Sequence, residues 1–129
     1  RDEFDRGERM QLNLGHTFGH AAEKCSGYSI LHGQAVAMGL AAITRAAVKK
    51  GYCGEKTLED TLETLKICGL PTEITYPLDD MAAAALSDKK ATGKGVRLIV
   101  PERIGKCTIV EVTADGVKDW MQAGGIGHD

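Results

Sequence analysis

Apolar and polar positions change their period along the chain, and each change marks an element. Residues 7–26 open with the good helix formers Glu8, Arg9, Met10, Gln11 and Leu12 and close on Ser26-Gly27, which predicts a first helix. Gly15 and Gly19 fall inside it, four residues apart. Each costs ~1 kcal/mol relative to Ala in a helix interior, so they imply close helix packing or close approach of a ligand to the backbone. A short loop, 28–31, leads to a second helix over 32–50, whose Ala, Val, Met, Leu and Ile content reads as buried nearly all round. Gly51 ends it. A third helix over 55–67 carries Leu58, Leu62 and Leu65 on one stripe, and Gly69-Leu70-Pro71 breaks the pattern. A helical stretch over 78–86 then precedes a polar loop, 87–95.

Beyond that loop the pattern turns β-rich. Residues 96–100 and 107–112 read as two strands of a hairpin joined by 101–106, and a last short helix over 114–122 precedes a Gly-rich tail expected to fray. The expected fold is therefore mainly α with one small β-hairpin and no internal repeat. No strand followed by GxGxxG occurs, so a dinucleotide phosphate cradle is not encoded in these residues.

Composition narrows the function classes. Among 129 residues, 16 Lys+Arg stand against 18 Asp+Glu, a formal charge of −2 with no basic block, so the electrostatic footprint of a nucleic-acid or membrane-surface binder is missing. The longest uncharged apolar run, 35–43, stops at Thr44-Arg45, far short of the ~20 residues that a bilayer-spanning helix needs. A chain of this size buries roughly two-thirds of its unfolded surface, enough for one core and one domain. It begins Arg1-Asp2-Glu3 without Met or a signal-peptide pattern, which reads as a piece cut from something longer. Cys25, Cys53, Cys68 and Cys107 form no CxxC and no dense framework, so reduced thiols in a cytoplasmic protein are expected.

Candidate chemistry gathers near the start. His16 and His20 lie one turn apart on the same helix face, and Arg9 and Asn13 extend that edge at i, i+4, i+7 and i+11. Such a row offers a guanidinium fork, an amide and two imidazoles to one anionic, hydroxylated ligand. Neutral imidazole is also the commonest protein ligand of zinc. His32 can join if the intervening loop doubles back: ~15 Å of helix lies between His16 and the helix end, and a five-residue loop spans at most ~17 Å. That geometry alone favours His20 over His16 as the partner of His32 and leaves the binding pair open. An HxxxH pair by itself is as well explained by solvent-facing or core-satisfied histidines; Arg9, Asn13, His32 and the two glycines shift the weight toward a site. Asp88-Lys89-Lys90 has two readings, a solvated helix end favoured by the dipole or an ammonium reaching an anionic substrate.

The strings Arg9-Met10-Gln11-Leu12-Asn13-Leu14-Gly15-His16-Thr17-Phe18-Gly19-His20-Ala21 and Leu31-His32-Gly33-Gln34-Ala35-Val36-Ala37-Met38-Gly39 resemble 3-dehydroquinate synthase, as do Gly69-Leu70-Pro71 and Asp88-Lys89-Lys90 in that order. The resemblance runs from Arg1 to about Val112 and corresponds to the family's C-terminal helical domain. It implies that residues 1–129 are a metal- and substrate-binding domain whose N-terminal NAD-binding partner domain lies outside this chain. The implied reaction converts 3-deoxy-D-arabino-heptulosonate 7-phosphate to 3-dehydroquinate and phosphate in the shikimate pathway. It proceeds by transient oxidation with NAD⁺, loss of phosphate, re-reduction, ring opening and aldol closure. A divalent metal, zinc in most of the family, acts as Lewis acid on the oxidised hydroxyl.

Carried over by position, the resemblance makes His16 and His32 metal ligands, with a third ligand, a Glu, in the N-terminal half. It assigns the substrate carboxylate to Arg9, the phosphate surroundings to Asn13 and His20, and a substrate-gripping lysine to Lys89 or Lys90. Arg9, Asn13 and His20 are thus the catalytic set, the whole enzyme is a homodimer, and this piece alone is inactive. The implied pair His16/His32 differs from the geometric preference and requires the 28–31 loop to fold back. Gln34 and Asp5 stand where the family has Glu; a lost carboxylate at 34 would weaken support for His32, so Gln34→Glu is expected to raise zinc affinity. Other sugar-phosphate cyclases such as 2-deoxy-scyllo-inosose synthase are the nearest alternatives, and a non-catalytic helical interaction module is the alternative of another class.

Overall fold

In the computed structural model, which describes residues 15–86, 96–103 and 106–126, five helices and a hairpin follow one another. They are α1 (His16–Cys25), α2 (His32–Lys49), α3 (Glu55–Ile67), α4 (Leu78–Leu86), β1 (Val96–Arg103), β2 (Lys106–Val112) and α5 (Ala114–Ala123). The mainly helical reading and most boundaries agree with the apolar pattern.

The first helix departs from it. Gly15 takes a left-handed conformation, φ 76°, and acts as N-cap, so α1 begins at His16. An uninterrupted helix over 7–26 is therefore not formed, and the single helical edge expected to carry Arg9, Asn13, His16 and His20 loses its basis. Arg9 and Asn13, like Asp5, lie outside the described residues. The glycines serve packing. A Cβ on Gly15 would stand 2.5 Å from the Leu40 amide nitrogen, one on Gly19 2.8 Å from the Ala35 carbonyl oxygen, and one on Gly39 would overlap the Gly15 carbonyl oxygen. The backbones of α1 and α2 thus touch without side chains between them.

The second helix is the axis of the domain. Ala35, Ala37, Met38, Ala41, Ala42, Ile43, Ala46 and Ala47 are all buried, and the small residues let neighbours approach on several sides. Its buried hydroxyl, Thr44 Oγ1, donates to the Leu40 carbonyl at 2.7 Å, so no polar group is left unpaired there. On one side α3 contributes Leu65, with Leu62 beside it, to a small cluster with Ala37 and Ala41. On the other, Phe18, Met81, Leu98, Val117, Trp120 and Met121 fill the main core. Arg45 reaches the Thr72 carbonyl at 2.7 Å and ties the segment after α3 back to α2.

The hairpin and the tail correct two expectations. The strands run further than the sequence pattern indicated, with Pro101 opposite Cys107 and Arg103 opposite Lys106, and the register slips between Pro101 and Arg103. Pro101 has no N–H to give, so the ladder is interrupted there, not ended. The Gly-rich tail does not fray over its first residues. Ile126 donates its N–H to the Met121 carbonyl at 3.1 Å and is 1% exposed, while Gly125, at φ 89°, turns the chain. This is a helix end closed by a left-handed glycine with an apolar residue tucked beneath it. All four cysteines are free thiols, in line with the reduced state expected.

The backbone contact between α1 and α2 should be sensitive to a single methyl group. We expect Gly39→Ala to lower stability by about 1–3 kcal/mol through overpacking. Gly33→Ala, at a helical position with open space around it, should leave stability unchanged or raise it by about 0.4–1 kcal/mol. Urea unfolding of the two variants checks this, and equal midpoints would contradict the tight contact.

Candidate functional site

The face of α1 turned away from the core carries the histidines. Phe18, Gly19, Ala21 and Ala22 point inward, and the remaining positions at helical spacing place His16, His20 and Glu23 on the outer edge. His16 and His20 stack as the one-turn spacing requires, with ring centroids 6.0 Å apart and planes 3° from parallel. Both are exposed.

His32 reaches this edge because the loop returns. The Ser26 hydroxyl donates to the Glu23 carbonyl at 2.8 Å, and the Tyr28 N–H donates to the same carbonyl at 2.8 Å. Gly27 and Tyr28 both take left-handed conformations, φ 67° and 64°, which reverses the chain. The first residue of α2 then lies against the last turns of α1. His32 Nδ1 stands 3.0 Å from Glu23 Oε2, and His20 Nδ1 stands 3.5 Å from Glu23 Oε1. The doubling back that the sequence required is thus present.

Glu23 was not singled out from the sequence, although its spacing gave a signal. It follows His20 by three residues and His16 by seven, on the same helical edge, and only the return of His32 makes that edge a cluster. Its side chain is 15% exposed, against 44% for His20 and 70% for His32, so the carboxylate sits beneath the rings. The hydrogen bond from His32, opposed by partial burial and aided by His20, holds its carboxyl below the usual carboxylate value. Gln34 does not support His32. Its carboxamide oxygen accepts the Leu31 N–H at 3.1 Å and caps α2, a bond that a Glu would make equally well. The expected gain in zinc affinity from Gln34→Glu therefore loses its structural ground.

Among the described residues, no three His, Cys, Asp or Glu side chains converge to hold a metal ion. The donor set nevertheless suits a divalent cation of intermediate softness, since imidazoles backed by a carboxylate are the usual nitrogen ligands of zinc. Beside His16 opens a cleft of about 260 Å³, lined also by Gly15, Thr17, Phe18, Ile43 and Arg97, smaller than most small-molecule pockets. A roomier groove, lined by Arg45, Tyr76, Lys118 and Gln122 among others, lies away from the histidines. Lys89 and Lys90 lie outside the described residues. Among the described residues no helix is long and apolar enough to cross a membrane.

The lowered carboxyl of Glu23 has a consequence for acid stability. A group whose folded pKa lies below its unfolded value contributes stability above the unfolded value, near 4.5, and loses it as the pH falls through the folded value. We expect Glu23→Gln to remove that part of the stability loss below about pH 4.5. Thermal unfolding of the metal-free protein from pH 3 to 7 measures it, and parallel curves for both proteins would contradict it.

Comparison with known proteins follows the same residues. The family model described as 3-dehydroquinate synthase C-terminal matches residues 1–91. The chain is 44% identical over 112 residues to the 3-dehydroquinate synthase of Dictyoglomus thermophilum, covering 86% of this chain and 32% of that protein. It is 37% identical over 122 residues to that of Streptococcus pneumoniae, covering 93% and 34%. The chain thus spans about a third of the length of these relatives. Among solved structures, a 2-deoxy-scyllo-inosose synthase complexed with carbaglucose-6-phosphate, NAD⁺ and Co²⁺ matches with TM-score 0.73 at 19% identity, over 95% of this chain and 36% of that one. A 2-epi-5-epi-valiolone synthase from Streptomyces hygroscopicus with NAD⁺ and Zn²⁺ bound matches with TM-score 0.70 at 25% identity, over 88% and 32%.

Proposed function

The chain belongs to the 3-dehydroquinate synthase C-terminal family, and from that premise we propose that it serves as the metal- and substrate-binding domain of a 3-dehydroquinate synthase. The reaction is conversion of 3-deoxy-D-arabino-heptulosonate 7-phosphate to 3-dehydroquinate and phosphate, in the cytoplasm, by a homodimer. The observation that carries the reading is the row His16, His20, Glu23 and His32, drawn from two helices and lying within the matched stretch.

In this reading His16 and His32 hold a divalent metal, zinc, with a third ligand from an N-terminal domain that also binds NAD. The solved relatives that bind NAD⁺ with Co²⁺ or Zn²⁺ support both cofactors. When bound, these groups supply Lewis acidity at a substrate hydroxyl and a hydride acceptor. The chain's own residues bind and orient. Arg9 takes the substrate carboxylate through its paired guanidinium donors, and Asn13 and His20 meet the phosphate. Lys89 or Lys90 adds a positive charge toward the same anion. The relatives at 37–44% identity favour this substrate over those of the cyclases matched at 19–25%, whose likeness speaks for the fold.

The test is phosphate release from the heptulosonate phosphate by the full-length protein supplied with NAD⁺ and Zn²⁺. We expect turnover, lost ~10³-fold in His16→Ala and in His32→Ala, the equivalent of several kcal/mol of Lewis-acid stabilisation. The 129 residues alone should be inactive. Turnover that survives both substitutions, or a preference for a hexose 6-phosphate over the heptulosonate, would overturn the reading.

A further inference from the structure

The carboxylate beneath the histidines has geometry that a chance surface pair does not need. Its two oxygens are divided between two rings on two helices, Oε2 to His32 at 3.0 Å and Oε1 to His20 at 3.5 Å. An ionised carboxylate only accepts, so the His32 ring nitrogen facing it, Nδ1, must carry the hydrogen. In the neutral ring the lone pair is then left on Nε2, on the far side from Glu23. His20 Nδ1, at 3.5 Å from Oε1, stands at ion-pair distance.

The main chain of Glu23 is engaged as well. Its carbonyl accepts both the Ser26 hydroxyl and the Tyr28 N–H, the bonds that turn the chain back toward α1. One residue therefore sets the path of the loop with its backbone and the aspect of the returning ring with its side chain. The Gln34 carboxamide oxygen, the nearest side-chain acceptor in sequence, is occupied at the Leu31 N–H.

We propose that Glu23 is the positioning residue of the row. It holds His32 in the Nδ1–H tautomer, so that this ring offers Nε2 to whatever occupies the site, and its second oxygen lies within ion-pair reach of His20. The inference rests on the functional reading above only in naming that occupant as a divalent metal at His32. Glu23 itself touches neither metal nor substrate. It acts through the imidazoles, as carboxylates behind ligating histidines do.

Two measurements on the full-length enzyme decide it. In the metal-free protein labelled with ¹⁵N-histidine, long-range ¹H–¹⁵N correlations at neutral to mildly alkaline pH report which ring nitrogen carries hydrogen. His32 should be Nδ1–H in the wild type and shift toward Nε2–H in Glu23→Ala. Competition with a chromophoric chelator should show zinc affinity lowered about 10–100-fold in Glu23→Ala. Glu23→Gln keeps the length and one acceptor oxygen, so it should recover most of that loss, and it serves where Glu23→Ala proves too unstable to study. A tautomer unchanged in Glu23→Ala, or zinc held equally by wild type and variant, overturns the inference and leaves the functional reading standing. Zinc affinity indifferent to His16→Ala and His32→Ala overturns that reading instead, and the tautomer still decides what Glu23 does to the rings.

Discussion

The contact on which the rest of the domain depends is the meeting of two backbones. Gly15, Gly19 and Gly39 remove the side chains that would hold α1 and α2 apart, and the peptide groups of one helix lie against those of the other. Helices with ordinary side chains between them pack about 8–10 Å apart, whereas here even a Cβ at Gly15, Gly19 or Gly39 would meet the backbone of the other helix. Because α2 runs back along α1 at such short range, its first residue falls beside the last turns of α1. A carboxylate on one helix can then reach imidazoles on both. A bulkier residue at Gly39 would push against the Gly15 and Gly19 backbone and disturb the packing that sets α2 beside α1.

The two sides of α1 do different work. Phe18, Ala21 and Ala22 seal the core, where burial of apolar surface supplies the driving force. His16, His20 and Glu23 contribute little to that sum, since exposed ion pairs are worth roughly 0–1 kcal/mol. The hairpin, α4 and α5 complete the core around α2 and add no side chain to the row that the contacts show. Stability and site are therefore nearly separable here: the core holds the helices, and the helices hold the rings. A change at the exposed histidines should cost folding little, whereas a change at the glycines should disturb the packing of α1 on α2.

Much of this was legible in the sequence, and the parts that were not share one cause. Helices α2 to α5 are amphipathic or wholly apolar over many residues, so periodicity located them. The start of α1 escaped because Gly15 was read as a costly residue inside a helix, whereas its left-handed backbone begins one; composition alone does not separate the two. The tail escaped similarly, since Gly124-Gly125 suggests disorder unless Ile126 is seen to bury itself against the core. Glu23 escaped because its role depends on His32, which lies nine residues away across a reversal. Local spacing placed His16, His20 and Glu23 on one edge, but only the tertiary return of α2 turned an edge into a cluster. The resemblance carried Arg9, Asn13, Lys89 and Lys90 by motif, and these lie beyond the described residues.

The arrangement also accounts for why such a row suits one wall of a shared site better than a closed metal centre. A structural zinc site surrounds its ion with four protein ligands and excludes water, whereas a catalytic one keeps a position open. Here His20 and His32 are 44% and 70% exposed and His16 is exposed too, the Nδ1 atoms of His20 and His32 face Glu23, and no three donor side chains converge among the described residues. The cleft beside His16, about 260 Å³, is small for a sugar phosphate, and the chain spans about a third of its relatives' length. In the proposed reading, rings oriented from below and open above would meet their remaining ligands and enclosing wall from another part of the protein. In that design the precision must be built in before the second wall closes, because a loosely held imidazole would lose its ordering entropy only on metal binding. A carboxylate shared between two rings supplies that order in advance, which is why Glu23, the one acidic residue of α1, bears on the proposed chemistry more than the exposed histidines reveal by themselves.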